Sequence, residues 1–148
     1  SGPVEDQSRN EPPLLSPCQP NTADNDINGG ASDVFARDLG SSSTILVSVN
    51  ASATGSSNSN SQDAAISGDG RYVAFSSTAI DLAAPDTNFN QDIYRRDLLT
   101  NTTILISINS SGSNGGSSTS DQPTISSNGG IVAYRSFSSN LVASVTDG

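Results

Sequence analysis

Two short stretches of the chain carry oxygen-bearing side chains at close spacing. In the later stretch, Asp or Asn occupies every second position: Asp86, Asn88, Asn90 and Asp92. The earlier stretch is looser and holds, in front of an apolar run, Asp24, Asp26, Asn28 and Asp33. Ca²⁺ takes about six to eight oxygen ligands, and a tight loop supplies them well when Asp and Asn alternate with residues that turn the backbone. The spacing is therefore compatible with a calcium site in each stretch.

The earlier stretch departs from the EF-hand calcium loop. It opens with Asp24, Asp26, Asn28 and Gly29, but Phe35 stands at the twelfth position, where that loop has Glu. No flanking helices are therefore expected. The alternative is a set of Asn and Asp turns whose side chains cap their own backbone without a metal. A bound cation would be structural, because it would neutralise the clustered carboxylates and fix the angle between consecutive units.

The composition excludes most familiar catalytic arrangements. The chain has no His, its six basic residues are all Arg, and Cys18 is its single cysteine. No Ser lies in a Gly-x-Ser-x-Gly setting, so the usual pairs of nucleophile and base cannot be assembled. Two carboxylates across a cleft could serve a glycosidase, but the only Glu residues, Glu5 and Glu11, lie in the N-terminal tail. We predict that the chain is not an enzyme.

The charge balance and the single cysteine limit the partners of the chain. Fifteen acidic residues against six Arg give a net charge of −9. Nucleic acids and anionic membranes attract clustered cations, so neither is expected, and no apolar run approaches the roughly 20 residues of a membrane helix. Cys18 alone cannot form an internal disulfide. It is either a lone thiol in a tail or a link to another chain.

The chain contains an internal repeat with a period of 59 residues. At that shift residues 33–50 fall on 92–109, and residues 65–77 fall on 124–136, without a gap. A repeat of this length signals stacked supersecondary units. The sequence divides into a Pro-rich N-terminal tail, a first repeat, and a second repeat with the truncated start of a third: 1–22, 23–89 and 90–148.

Each repeat reads as four short strands. In the second strand, Ile45, Val47 and Val49 share one face, as do the residues 59 positions later. Turn-forming residues separate the strands, and helix signals are absent. Several strands are apolar on both faces, which suits a small sheet packed between two neighbours. We therefore predict an all-β protein made of four-stranded antiparallel units.

Two segments resemble the repeats of TolB-type β-propellers, in particular the divergent secreted forms. They are ISGDGRYVAFSS, residues 66–77, and DTNFNQDIYRRDLLTNTT, residues 86–103. The resemblance implies that each repeat is one propeller blade, which makes about two blades and the start of a third. It also implies that the protein is extracellular or lies at the cell surface. The second copy departs from the motif where Asn128 and Gly130 replace Asp69 and Arg71, which removes any contact between those two side chains.

Two blades do not make a closed propeller, which typically has about four to eight. Alone, they leave two apolar blade faces bare. We therefore expect other copies of the chain, or the missing blades of a longer chain, to cover those faces, in a ring or a filament. The leading hypothesis is a non-enzymatic structural or assembly protein stabilised by Ca²⁺. The alternative is a binding module, a propeller fragment that recognises a protein or carbohydrate partner.

Two further polar motifs carry a weaker signal. Three Asn residues lie in Asn-x-Ser/Thr sequences, which are candidate glycosylation sites but also arise freely in a chain rich in Ser and Asn: Asn50, Asn101 and Asn109. An Arg-Asp pair precedes Leu in both repeats, at Arg37 and Asp38 and at Arg96 and Asp97. Such residues form exposed or inter-blade ion pairs, or they contact a ligand.

Overall fold

The computed structural model of the protein describes residues 26–143. Within that range all regular secondary structure is β, in antiparallel sheets, and no helix is present that could cross a membrane. The strands are β1 (Phe35–Asp38), β2 (Ser43–Leu46), β3 (Ser61–Ile66), β4 (Tyr72–Ser77), β5 (Asp92–Asp97), β6 (Thr102–Leu105), β7 (Ser120–Ile125) and β8 (Val132–Ser136). The prediction of an all-β fold is confirmed.

The strands form one central sheet and two smaller sheets. The central sheet has four strands in the order β3-β4-β5-β6, and β1-β2 and β7-β8 form two-stranded sheets. Strands β1 to β4 lie in the first sequence repeat, and strands β5 to β8 lie in the second. The central sheet therefore takes half of its strands from each repeat. It is offset by two strands from the unit that the sequence repeat delimits.

The 59-residue period is visible in the backbone. β6 and β7 begin and end 59 positions after β2 and β3. The pairing of β3 with β4 is irregular after Gln62, where Asp63 has a φ of 54°, and β7 and β8 have the equivalent irregularity after Asp121, where Gln122 has a φ of 52°. Such a bulge bends the strand and increases its local twist. The two hairpins therefore share the same deviation from regular pairing.

Side chains hold the tight turn of each of these hairpins. Between β3 and β4, Ser67 Oγ donates to Asp69 Oδ1 over 2.5 Å. Between β7 and β8, Ser126 Oγ donates to Asn128 Oδ1 over 2.9 Å. Asn128 therefore accepts the same hydrogen bond as Asp69. The departure from the TolB-like motif at this position leaves the turn intact.

The main core lies between the central sheet and the β1-β2 sheet. Phe75 on β4 and Tyr94 on β5 are fully buried, and their rings stack with centroids 5.8 Å apart. Val34, directly before β1, and Val47, directly after β2, belong to the same cluster. Side chains alternate between the two faces of a strand, so both aromatic rings project from the same face of the sheet. The few large apolar residues of the chain are concentrated where sheets meet.

The opposite face of the central sheet is covered by the β7-β8 sheet. β7 packs against β3, β4 and β5. At the turn between β7 and β8, Gly129 lies so close to Tyr72 that a Cβ atom there would overlap the aromatic ring. Arg95 Nη1 donates to Gly129 O over 2.7 Å, and its guanidinium lies 4.7 Å from the centroid of the Tyr72 ring. The central sheet is therefore packed between two neighbours, as the sequence pattern predicts.

The two-stranded sheets at the ends expose apolar side chains. Phe35 on β1 is 45% exposed, although its counterpart 59 residues later, Tyr94, is fully buried. Beside β8, Ile131 and Phe137 are 71% and 67% exposed. Within residues 26–143, β1 and β8 each pair with one strand only. Each end sheet is half of a sheet like the central one.

Candidate metal centre in the oxygen-rich loops

The later oxygen-rich loop leads directly into β5. Asp92 is the first residue of that strand and is fully buried, and Asp86 is almost fully buried. Asn88 N donates to Asp86 Oδ1 over 3.2 Å, and Asn90 N donates to Asn88 Oδ1 over 2.7 Å. These are successive Asx turns, in which a short polar side chain caps the backbone two residues further on. They coil the loop tightly in front of the strand.

Asp92 is the centre of the hydrogen bonds of this loop. Its Oδ1 accepts from Ser107 Oγ over 2.5 Å and from Gly116 N over 3.3 Å, and its Oδ2 accepts from Asn88 Nδ2 over 2.9 Å. Ser107 Oγ in turn accepts from Ile93 N over 2.9 Å. The carboxylate therefore joins the start of β5 to the segment after β6 and to the segment before β7. It connects the central sheet to the next sheet along the chain.

Burial dominates the electrostatics of this carboxylate. Desolvation raises the pKa of Asp92, hydrogen bonds from Ser107 and Asn88 oppose the rise, and the nearby charge of Asp86 adds to it. The hydroxyl of Tyr94 donates to Asp86 Oδ2. Burial, followed by this hydrogen bond, raises the pKa of Tyr94. The phenol therefore stays protonated and acts as a donor toward the loop.

The earlier loop contains equivalent hydrogen bonds from Asn and Ser around Asp33. Asn28 N donates to Asp26 Oδ1 over 3.3 Å, and Asn28 Nδ2 donates to Asp33 Oδ2 over 3.1 Å. Ser48 Oγ donates to Asp33 Oδ1 over 2.7 Å and accepts from Val34 N over 3.2 Å. The first loop network is Asp26, Asn28, Asp33 and Ser48, and the second loop network is Asp86, Asn88, Asp92 and Ser107.

The two loop networks differ in length by one residue. Asn28 precedes its counterpart by 60 positions, whereas Asp33 precedes its counterpart by 59. The extra residue lies between them, after Gly29, which has a φ of 72°. In the second loop, Phe89 follows the Asn and has a similar φ of 59°. An ungapped shift of 59 residues therefore misaligns the first half of the loop, although the hydrogen bonds from Asn and Ser to the central carboxylate are equivalent.

The carboxylates at the centres of the loop networks are held by hydrogen-bond donors. A calcium site needs several oxygen atoms that converge on one point. The carboxylates of Asp33 and Asp92 instead face hydrogen-bond donors, and Asn28 and Asn88 turn their amide NH₂ groups toward them. Among residues 26–143, no three or more Asp, Glu, His or Cys side chains are grouped so that they could hold a metal ion. The arrangement matches the Asx-turn alternative, and calcium binding stays a prediction.

Asn90 and Asp24 are the remaining predicted ligands of the two loops. Asn90 lies outside the second loop network, with its Nδ2 3.4 Å from Gly116 O. Asp24 falls outside the described residues. Sequence reasoning missed Ser48 and Ser107, which are fully buried. Their identity at the same place in both repeats is the signal that could have revealed them.

The Asp of the second Arg-Asp motif, Asp97, forms an ion pair within the central sheet. Arg71 Nε and Nη2 donate to Asp97 Oδ1 and Oδ2 over 3.0 and 2.7 Å. This contact holds the pKa of Asp97 well below its usual range. The corresponding carboxylate in the first repeat, Asp38, accepts from Ser41 Oγ over 2.7 Å and caps its own turn. In the second repeat the carboxylate thus has a structural partner.

The candidate glycosylation sites differ in their surroundings. Asn50 Oδ1 accepts from Thr54 N over 3.0 Å, and Asn109 Oδ1 accepts from Ser113 N over 3.0 Å, so both side chains hold their own turns. Asn101 is exposed in the turn between β5 and β6, with a φ of 57°. Attachment of a sugar requires an accessible side-chain nitrogen. Asn101 therefore offers the best access, and glycosylation stays a prediction.

An open cleft of about 410 Å³ lies beside β6. Its lining includes Asn50, Leu82, Pro85, Arg96, Asn101 and Ile104. Its volume is in the range of small-molecule pockets. Among residues 26–143, no carboxylate lines it, so these residues do not place there the pair of acids that glycoside hydrolysis uses.

Comparison with known proteins assigns no family. No protein-family model matches the chain, and no curated protein matches it. The relation to TolB-type propellers rests on the two sequence motifs and stays a prediction. The all-β fold and the repeated loop networks are the properties on which a functional proposal can build.

Proposed function

We propose that this chain is a non-enzymatic structural or assembly protein of the extracellular space or the cell surface, built of TolB-like propeller blades. Its end sheets are completed by further strands of the same kind, from other copies of the chain or from the rest of a longer chain. The observation that carries the proposal is the half-sheet at each end, because β1-β2 and β7-β8 repeat the two halves of the central sheet.

The contrast in burial between equivalent residues supports this completion. Tyr94 on β5 is fully buried, whereas its equivalent on β1, Phe35, is almost half exposed. Full burial of a side chain such as Phe contributes about 1.5–3 kcal/mol. Repeat units that cannot bury their apolar faces alone gain stability when like units stack on them. Covering the ends would extend to them the packing that the central sheet already has.

The polar side chains support a structural role as well. Asp97 and Asp121 form ion pairs with Arg71 and Arg135, with N–O distances of 2.7 and 2.6 Å. The carboxylate at the centre of each loop network is held by Ser and Asn donors. Of the residues that the structure describes, no acid lines the cleft beside β6. These carboxylates have structural partners, which favours an architectural role over catalysis.

The loop networks supply the connection between consecutive sheets. Asp92 receives hydrogen bonds from Ser107, after β6, and from Gly116, before β7. These bonds are made by protein donors. Stabilisation by Ca²⁺ is kept as a separate prediction, since it would require the Asn side chains to present oxygen rather than nitrogen.

Light scattering of the full chain over a range of concentrations tests self-assembly. We expect species larger than one chain, with a mass that rises with concentration. The mass of a single chain at every concentration, together with a separate bound ligand, would instead favour the binding module. The same measurement after addition of EDTA tests calcium independently: a fall in mass supports calcium binding, and an unchanged mass contradicts it.

A further inference from the structure

We propose that the outer edge of β8 pairs antiparallel with β1 of a second copy of this chain, which creates an intermolecular four-stranded sheet in the order β7-β8-β1-β2. The inference rests on the proposed function and names the surface that joins the copies. It follows from the offset between the sequence repeat and the central sheet.

The two end sheets are complementary halves of one sheet. β7-β8 repeats β3-β4, and β1-β2 repeats β5-β6, 59 residues apart in each case. In the central sheet, β4 and β5 pair with each other over their full lengths. Within residues 26–143, the corresponding edges of β8 and β1 have no strand partner. A single kind of chain therefore carries both partners of this pairing, at opposite ends.

The central sheet also specifies the register of the intermolecular pairing. Ala74 pairs with Arg95, and Phe75 pairs with Tyr94. Moving the β4 residues forward and the β5 residues back by 59 positions places Ala133 opposite Ala36, and Tyr134 opposite Phe35. The remaining pairs in this register are Ile131 with Asp38, Val132 with Arg37, Arg135 with Val34 and Ser136 with Asp33. No pair sets two charges of like sign against each other, which would be destabilising.

The side chains at the two edges match those of the buried pairing. The stacked rings of Phe75 and Tyr94 are replaced by Tyr134 and Phe35, so an aromatic pair is preserved with the hydroxyl on the other ring. Phe35 is now 45% exposed, and this pairing would cover it. Aromatic pairs across strands add roughly 0.2–1 kcal/mol to sheet stability.

The edge of β1 is already arranged like the edge of β5. Arg96 Nη1 donates to Thr103 Oγ1 over 3.0 Å, and Arg37 Nη1 donates to Thr44 Oγ1 over 2.9 Å. The guanidinium of Arg37 is thus anchored to β2 in the same way as the guanidinium of Arg96 is anchored to β6. A strand that is ordered before it pairs loses less conformational entropy on association.

One interaction of the central sheet has no equivalent in the intermolecular sheet. Arg71 holds Asp97 in a bidentate ion pair, but Gly130 stands at the position of Arg71, directly before Ile131, which would lie opposite Asp38 of the second copy. A Cβ atom at Gly130 would lie 3.1 Å from Asn128 Oδ1. Arg71 is accommodated beside the equivalent Asp69 Oδ1, which accepts a hydrogen bond from Arg71 N over 3.0 Å. The Gly130→Arg substitution should therefore fit and restore the ion pair between copies.

Cysteine cross-linking between two variants tests the register. Both carry Cys18→Ser, which removes the single native thiol; one adds Ala36→Cys and the other adds Ala133→Cys. After mixing and oxidation with copper phenanthroline, we expect a disulfide-linked dimer that contains one chain of each kind. The control replaces Ala133→Cys by Thr124→Cys, because Thr124 pairs with Ala133 on β7 and lies one strand further away. Two strand spacings of about 4.8 Å exceed the reach of a disulfide.

The outcomes separate this inference from the proposed function. Larger species in light scattering, together with a disulfide between positions 36 and 133, support both the pairing of β8 with β1 and the proposed function. Larger species that bridge only through the Thr124→Cys control, or through neither variant, overturn the pairing of β8 with β1 and leave assembly standing. Single chains at every concentration overturn the second copy as the occupant of this edge.

The ion-pair substitution provides a second, independent test. Gly130→Arg should lower the dissociation constant of the assembly by about two- to fivefold, the range of an exposed Arg-carboxylate pair. In the Asp38→Asn background the same substitution should have no effect on the dissociation constant. An equal gain in both backgrounds, or no gain in either, would overturn the predicted register.

Discussion

β5 in the central sheet and β1 at one end of the molecule are two copies of one strand in different surroundings. Their local geometry is the same: Asn101 and Ser42, in the turns that follow them, have φ values of 57° and 56°. Their burial is not, because Tyr94 is enclosed between two sheets and Phe35 is exposed on one side. Local hydrogen bonds and turn shapes therefore depend on the segment itself. Burial depends on the neighbouring sheet, and stability should be concentrated in the centre.

The largest difference is expected for the aromatic core. Phe75→Ala removes a fully buried ring and should lower the free energy of unfolding by about 3–5 kcal/mol. Tyr134→Ala, at the same position on β8, removes a half-buried ring and should cost less than half as much. Urea denaturation at a concentration where the chain is not associated measures both. Equal losses would contradict the concentration of stability in the central sheet.

Two glycines with the same backbone conformation separate strain from packing. Gly70 and Gly129 have φ values of 72° and 70°, but only Gly129 lies against a ring, that of Tyr72. Gly70→Ala should cost about 1–2 kcal/mol, because an L-residue is strained at this φ. Gly129→Ala should cost the same amount for the backbone strain and about 1–3 kcal/mol more, because its Cβ atom would overlap the ring of Tyr72. Thermal unfolding of the two variants tests this, and a smaller loss for Gly129→Ala would refute the packing of the β7-β8 turn.

The loop networks offer a matched pair of serines. Ser107→Ala removes the donor to Asp92 and the acceptor of Ile93 N, and should cost about 1–3 kcal/mol. Ser48→Ala makes the same change at the first loop network. It should cost less, because Asp33 is only half-buried whereas Asp92 is fully buried. Denaturation of both variants measures the two losses in the free energy of unfolding. A larger loss for Ser48→Ala would show that burial of the carboxylate does not determine how much this hydrogen bond contributes to stability.

The smallest effect is expected for the ion pairs. Arg71→Gln should cost less than about 1 kcal/mol at pH 7, because half-exposed pairs are screened by solvent. Arg71 lowers the pKa of Asp97 in the folded state, so its contribution is present above the unfolded pKa of about 3.9 and is lost as the pH falls below it. The difference between wild type and Arg71→Gln should therefore shrink toward pH 3.

The matched ion-pair control lies in the outer hairpin. Arg135 pairs with Asp121, and its side chain is 54% exposed, compared with 39% for Arg71. Arg135→Gln should therefore change the free energy of unfolding even less than Arg71→Gln. Unfolding curves between pH 3 and pH 7 check both substitutions. A larger loss for Arg135→Gln would mean that the outer hairpin contributes more to stability than its exposure indicates.

The strands could be predicted from sequence because the signal is local. Alternating apolar residues such as Val73 and Phe75, and turn residues such as Gly70, act within a few positions of the chain. The sheet to which each strand belongs was not predictable in this way. The repeat delimits a unit that begins with β1, whereas hydrogen bonds join β4 to β5 across the boundary between repeats. A period in the sequence defines the length of a unit and does not define its first strand.

The spacing of the oxygen-rich residues predicted ordered loops but not their partners. Asp92 and Asn88 are close in sequence, and their hydrogen bond could be anticipated as an Asx-type contact. Ser107 and Gly116 lie 15 and 24 residues from Asp92, and only the folded chain brings them to the carboxylate. The donors that they supply form a hydrogen-bonded clamp around the carboxylate, and the calcium site that the spacing suggested stays a prediction.

The sequence by itself determined the all-β character, the repeat and the coiling of the loops, because these depend on side chains that act on the nearest few residues of backbone. The tertiary structure decided which hairpins share a sheet and which apolar side chains are buried. It also decided which donors face Asp33 and Asp92. The physical reason is that burial and donor supply are properties of the neighbours of a residue in space, and equivalent segments at the centre and at the ends have different neighbours.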